Sequence, residues 1–353
     1  SRSTVLTLSY VGTAGHRLIA QTEANPGDPA LCARLTAQGY ADGGNIGCGP
    51  NAEQDTFTLG SNTVYGTRDA LLNPNYCPAA GSLCFGFGNT FTRLVANSIY
   101  HAGEVTVERK AGDVTFLAAY TLAKAIDDSS AFGELINFQN AKLSRGLSST
   151  DVHQNFVVSY IWQIPFNRVF HSMPRLTKGW QLQGITRFSG GFPVQMGEAN
   201  PVNQGPLCPS GNCPGDASLV GSPSTDMPNL VGPVHKYNPR STPGTFTYFS
   251  QSSFTATQCA LVSGVLTGPD CGSFGTANRR FFHGPGFNNT SLGITKSIPV
   301  TEAMSFEVRG EFFNIFNHAQ FTNPSGDISS ANFGNVTNAR DPRIGQVSAK
   351  FVW

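Results

Sequence analysis

Apolar and polar residues alternate along much of this chain, the period of a strand whose two faces meet different surroundings. In segment 3–11, Leu6, Leu8 and Tyr10 share one side while Thr7 and Ser9 take the other. In 97–110, Val105 and Val107 oppose Glu104, Thr106 and Glu108. A tight turn at Ala111-Gly112 leads into 113–126, where Phe116, Ala118, Tyr120 and Leu122 line up, so these two segments read as a hairpin. Segment 151–165 places Phe156, Val158, Tyr160, Trp162 and Ile164 against Ser159 and Gln163. Segment 178–190 sets Trp180, Leu182 and Phe188 against Gln181, Gln183 and Arg187, and 286–299 sets Leu292, Ile294 and Ile298 against Asn289, Ser291 and Thr295. The clearest alternation is in 302–316, where Met304, Phe306, Val308 and Phe312 interleave with Ser305, Glu307, Arg309 and Glu311. The last segment, 342–353, carries Val347, Ala349, Phe351 and Trp353 on one face and Gln346, Ser348 and Lys350 on the other.

These eight predicted strands run roughly ten to fourteen residues, longer than the five or six usual in soluble sheets and suited to crossing a bilayer at a tilt. Their connections alternate between long and short, and the longest span about 12–96 and 191–285. One elaborated rim and one plain rim is the plan of an antiparallel transmembrane β-barrel with short periplasmic turns and long extracellular loops. The predicted fold class is therefore all-β, an antiparallel transmembrane barrel. A soluble β-sandwich would also alternate. Strand length and aromatics near strand ends (Tyr10, Trp162, Trp180, Trp353), like interfacial girdles, favour the barrel. The chain opens on Ser1-Arg2-Ser3 already inside a strand, so it is expected to be the C-terminal part of a longer product.

Composition narrows the function. Charged residues are 13% of the chain, about half the globular average, and formal net charge is +1. That excludes disordered acidic or basic tails and coiled coils, and it leaves no cationic face for nucleic acid. The eight cysteines, Cys32, Cys48, Cys77, Cys84, Cys208, Cys213, Cys259 and Cys271, fall in the two longest connections as local couples among Gly, Pro and Asn. They read as short-range disulfides in an oxidising compartment; a metal site is the rival, but no His lies near the tight Cys208/Cys213 couple. No Gly-x-Ser-x-Gly elbow, phosphate-binding Gly-Lys-Ser/Thr loop or paired metal-binding His occurs, so no catalysis, cofactor or metal is expected. Asp127-Asp128, followed by Ser129-Ser130, reads as turn chemistry rather than acid/base machinery.

On the polar side of the strands, Glu104, Glu108, Gln181, Gln183, Arg187, Glu307, Arg309 and Glu311 are expected to face the lumen, where they contact a solute or plug or pair with one another. Phe85, Phe87, Phe91, Tyr237 and Tyr248 are candidate loop contacts that either touch ligand or pack the loops together. Arg279 and Arg280, with His283, are expected at the external end of a strand, snorkelling at the rim in preference to pairing with lipid head groups or a substrate carboxylate.

Several stretches resemble a known family. The run Glu311-Phe-Phe-Asn-Ile-Phe-Asn-His318, then Gln320-Phe321-Thr-Asn-Pro324 and the closing Gly345-Gln-Val-Ser-Ala-Lys-Phe-Val-Trp353, looks like the end of Oar-like TonB-dependent receptors. Tyr10-Val-Gly-Thr-Ala-Gly-His16, Phe116-Leu-Ala-Ala-Tyr-Thr-Leu-Ala-Lys124 and Asp151-Val-His-Gln-Asn-Phe-Val-Val-Ser-Tyr160 resemble it too. The resemblance implies an outer-membrane location, a larger 22-stranded barrel, an upstream plug that meets TonB, and uptake of a scarce or bulky solute. It also implies that Phe351 and Trp353 form the signal read by the barrel-assembly machinery. A surface adhesin displaying the same loops and a secreted soluble β-protein are the alternatives.

Overall fold

The computed structural model describes residues 3–23, 56–59, 62–65, 90–131, 134, 144–170, 173–198, 227–258, 260–262, 265–267, 269–270, 275–301 and 304–353. Eight long strands form one meander: β1 Ser3–Glu23, β2 Thr90–Ala111, β3 Val114–Asp127, β4 Gln154–Ile164, β5 Trp180–Ser189, β6 Phe287–Pro299, β7 Ser305–Phe313 and β8 Ile344–Val352. Each pairs antiparallel with its chain neighbour, in the order β1-β2-β3-β4-β5-β6-β7-β8, and the short strand Gly146–Leu147 joins the end of β3. The sheet is not closed, since among the described residues β1 and β8 each pair on one side only.

The register sorts the side chains as the alternation predicts. Opposed residues share a face, so Glu104↔Thr121, Thr121↔Asn155 and Asn155↔Ser189 continue one polar face across four strands. Gly293↔Glu311 and Glu311↔Gln346 continue it to β8. The opposite face carries Leu8, Val105, Tyr120, Phe156 and Phe188 in one row, from Leu8↔Val105 through Phe156↔Phe188. Its large apolar groups are exposed, Leu8 at 70% and Trp353 at 85%. An aqueous sheet would bury that face, whereas a barrel wall turns it to lipid.

Short connections mark one rim. Gly112 takes φ 59° in the two-residue turn between β2 and β3, the left-handed conformation that such hairpins require. Between β4 and β5 lie two one-turn helices, α1 Phe166–Val169 and α2 Pro174–Thr177. Gly179 follows at φ 76°, where any Cβ would run into the backbone of Ser297. All three tryptophans sit at this rim: Trp180 pairs with Ile164, Trp162 lies two positions away, and Trp353 follows the last strand. Trp180 meets Phe166 edge-on at 6.1 Å and receives Lys296 over its ring at 5.6 Å. This is the amphipathic ring chemistry of an interfacial belt.

Two sequence expectations change here. The first long connection does not span 12–96: β1 continues to Glu23 and β2 begins at Thr90, so Phe91 lies in a strand opposite Thr22 instead of in a loop. Backbone pairing needs no apolar side chains, so this hairpin continues through Gly12-Thr13-Ala14-Gly15 with its register shifting around Leu18. At about 3.3 Å per residue the 21-residue β1 reaches roughly 70 Å, well beyond a bilayer core of about 30 Å. Tyr10 consequently sits within the strand, stacked on His101, and does not mark its end.

The packed core lies elsewhere, among the connections at the other rim. Val194, Met196, Tyr248, Phe249, Phe254, Phe282 and Phe333 form it, drawn from residues 190–286 between β5 and β6 and from 314–343 between β7 and β8. Phe249, fully buried, meets Phe254, Phe282 and Phe333 edge-on at 5.2–5.6 Å. Edge-on contact places the positive ring edge against a negative ring face. Asn314 and Asn317 start the second connection in left-handed conformations, which Asn tolerates, and Asn314 exchanges two 3.0 Å hydrogen bonds with the backbone of His318.

Candidate functional site

The polar face is concave. A cavity of about 520 Å³ touches Glu108 on β2, Leu117 on β3, Ser159 on β4, Gln183 on β5, Gly293 on β6 and Arg309 on β7. In a flat sheet β2 and β7 would lie about 24 Å apart at the usual ~4.8 Å spacing, so one cavity can reach both only if the wall curls around it. All eight residues expected in the lumen lie on this face. They pair locally. Arg309 Nη2 lies 2.5 Å from Glu311 Oε1. Gln183, with its amide oxygen turned to the guanidinium, accepts from Arg309 Nε at 3.2 Å. Gln346 donates to Glu311 at 2.6 Å, and Ser9 donates to Glu104 at 3.1 Å. Arg187 donates to Asn155 at 2.9 Å and stacks on Phe287 at 5.5 Å, Lys110 pairs with Glu108 at 3.3 Å, and Glu307 stands opposite Lys350. Gln181 accepts from Gln163 at 3.0 Å. The result is a hydrogen-bonding surface of mixed sign, with no dominant charge.

The long-loop rim is held by buried ions. Arg279, 1% exposed, reaches Asp127 Oδ1 at 2.5 Å and Glu134 Oε2 at 2.6 Å. Arg280 reaches Glu134 Oε1 at 2.5 Å and donates to Ser130 Oγ at 3.1 Å. Asp128 accepts from the Asn97 backbone N–H at 3.1 Å and pairs with Arg145 at 3.3 Å. Asp151 accepts from the Ala125 N–H at 2.5 Å and meets His283 Nε2 at 2.6 Å. The 128–153 connection and the segment entering β6 are thereby fastened to the tops of β2 and β3. Burial alone would raise the Glu134 carboxyl, but the hydrogen bond and charge of Arg280, with Arg279 behind it, hold it below the usual range. Burial and the adjacent Arg280 lower Arg279. Burial raises Glu198, and nearby Asp270 and Asp327 push the same way against two 3.1 Å hydrogen bonds from Thr257.

Two expectations change here, and of the two roles open to Tyr248 the structure shows packing of the loops. Arg279 and Arg280 are buried clamps and do not form an exposed cationic rim, because two carboxylates from a distant connection neutralise them. Tyr248 is a core residue, 8% exposed, whose hydroxyl donates to the His283 carbonyl at 3.0 Å and is pushed up to about 12 by burial. Asp127 ends β3 and accepts from the Ser130 hydroxyl at 2.6 Å, and Asp127 and Asp128 also make buried ion pairs, so turn chemistry is only part of their role. Tyr237 is exposed. Phe85, Phe87 and all eight cysteines lie outside the described residues. Sequence reasoning missed Glu134 and the pairing of Asp151 with His283. The available signal was charge matching between the Asp127-Asp128 and Arg279-Arg280 doublets, about 150 residues apart.

A curled wall with lipid-facing apolar side chains, a polar interior and an aromatic belt defines an outer-membrane β-barrel protein. A family model for the outer membrane beta barrel domain matches residues 1–346, and the chain belongs to that family. Among curated proteins none matches. The family assignment locates the protein in the outer membrane and removes the soluble β-protein alternative.

Proposed function

We propose that this chain forms part of the wall and the surface loops of a TonB-dependent outer-membrane receptor that binds and takes up a scarce or bulky solute. The observation that carries this reading is the open, curled wall whose edge strands β1 and β8 lack partners on one side. Unpaired edges invite aggregation unless further strands cover them, and barrels much larger than eight strands enclose a lumen wide enough to transport through or plug. The mixed-sign concave face suits a solute or plug that hydrogen-bonds, and the resemblance at Glu311–His318 and Gly345–Trp353 points the same way. In this reading the long connections are extracellular and make first contact with solute, tied by disulfides among the eight cysteines. TonB acts through an upstream plug, the assembly machinery reads Phe351 and Trp353, and the chain catalyses nothing.

A display barrel or adhesin is the second reading. The loop assembly favours it, since its own aromatic core and buried ion pairs make a rigid presented surface. The deciding experiment is the intact mass and N-terminal sequence of the native product from washed outer membranes. An upstream plug supports the receptor; a mature protein that begins near Ser1 excludes energised transport and leaves display.

A further inference from the structure

We propose that a groove on the outer, apolar side of the wall, beneath the loop assembly, holds the phosphate headgroup of a net-anionic membrane lipid. The groove has a volume of about 530 Å³. Its floor is aromatic: Tyr120, Phe156 and Phe188 come from adjacent strands in one outward row, with the two Phe rings stacked at 6.5 Å. Its upper margin is polar, made by Lys236, His153 and His283. The two imidazoles lie 6.2 Å apart, and Asp151 and the hydroxyl of Tyr248 fix the position of residue 283. Lys236 is exposed yet anchored, because its backbone bridges to Phe249 at the centre of the loop core. Among the described residues no carboxylate pairs with this ammonium, while Asp151 is already hydrogen-bonded to His283.

The position selects the occupant. The floor belongs to the face that the wall turns to lipid, so acyl chains already occupy the space below it. The margin lies where strands give way to loops, at headgroup height. An ammonium with no carboxylate partner among the described residues, standing above an aromatic surface, matches a molecule with an anionic phosphate above hydrocarbon, and Lys near a membrane surface attracts anionic lipid. Free phosphate would gain nothing from the aromatic floor.

The test uses the full native protein, delipidated in detergent and then mixed with phosphatidylcholine containing or lacking phosphatidylglycerol, with retained lipid counted by native mass spectrometry. One phosphatidylglycerol should remain bound in preference to phosphatidylcholine, and Lys236→Arg should keep it. Lys236→Glu should lower retention roughly fivefold or more. Gly190→Leu should lower it as well by filling the groove, since a Cβ there meets its nearest neighbours only at 3.7 Å. Equal retention of both lipids by the unmodified protein overturns the proposal, as does retention unchanged in both disruptive variants. Displacement of the lipid by inorganic phosphate alone would overturn the choice of a lipid.

Discussion

The wall and the loop assembly solve opposite problems with the same residue types. In the wall, large apolar side chains such as Leu8 and Ile294 point outward and polar ones such as Gln183 and Arg309 point inward, while backbone pairing runs unbroken across eight strands. In the loop assembly Phe249 and Met196 are fully buried, and backbone pairing is reduced to short strands and isolated bridges. The difference teaches that each region is ordered by its solvent. Lipid rewards satisfied backbone and tolerates exposed hydrocarbon, whereas water rewards burial of hydrocarbon and accepts irregular backbone.

The strongest way to break the contrast is inside the loop core. Phe249→Ala should cost about 3–5 kcal/mol there, seen as faster amide exchange across 227–258 with the ladder of β2–β5 unchanged; equal loss in both regions would mean they form one cooperative unit. Arg279→Ala strands Asp127 and Glu134 without their buried cation and should cost on the order of 3–5 kcal/mol, read by the same exchange experiment at 144–153 and 275–286. In the wall the sign of burial reverses. Ile294→Arg should cost about 2–4 kcal/mol if its side chain meets the bilayer midplane, while Ser159→Arg on the concave face should leave denaturant stability in lipid nearly unchanged; the opposite ranking would refute the assignment of faces.

Acid should sharpen the comparison most gently. Glu134 is held below its ordinary value in the folded state, so the stability it contributes is present above that ordinary value and lost as pH falls through the folded one. Glu198 is raised, so its charge costs stability at neutral pH and that cost is relieved as pH falls through its folded value. Glu134→Gln should therefore flatten the acid loss of loop protection, and Glu198→Gln should raise loop stability at neutral pH. Wall exchange should respond to neither, with both variants followed from pH 7 to pH 3.

Much of the wall was legible because its period of two needs only local sequence. Phe306, Val308 and Phe312 against Glu307, Arg309 and Glu311 declare two faces without reference to any partner strand. The ends of β1 and β2 were less legible, since past the membrane their pairing is kept by backbone bonds that small and polar residues support as well as apolar ones. The rim clamp left only a faint signal, two charge doublets far apart in the chain. Arg279 and Arg280 read as exposed because arginine usually is, and the carboxylates that pair with them, Asp127 at the end of β3 and Glu134 beyond it, lie about 150 residues away in sequence.

Sequence by itself determined the number of wall strands, their antiparallel order, and which side chains share a face, because alternation and the long-short rhythm of connections are local properties. Tertiary structure alone decided that the polar face curls inward, that Tyr248 and Arg279 belong to a buried loop assembly, and that Lys236 stands above an aromatic floor. Those outcomes depend on which distant segments share a rim, and only the register of the curled sheet brings such segments within reach of a hydrogen bond.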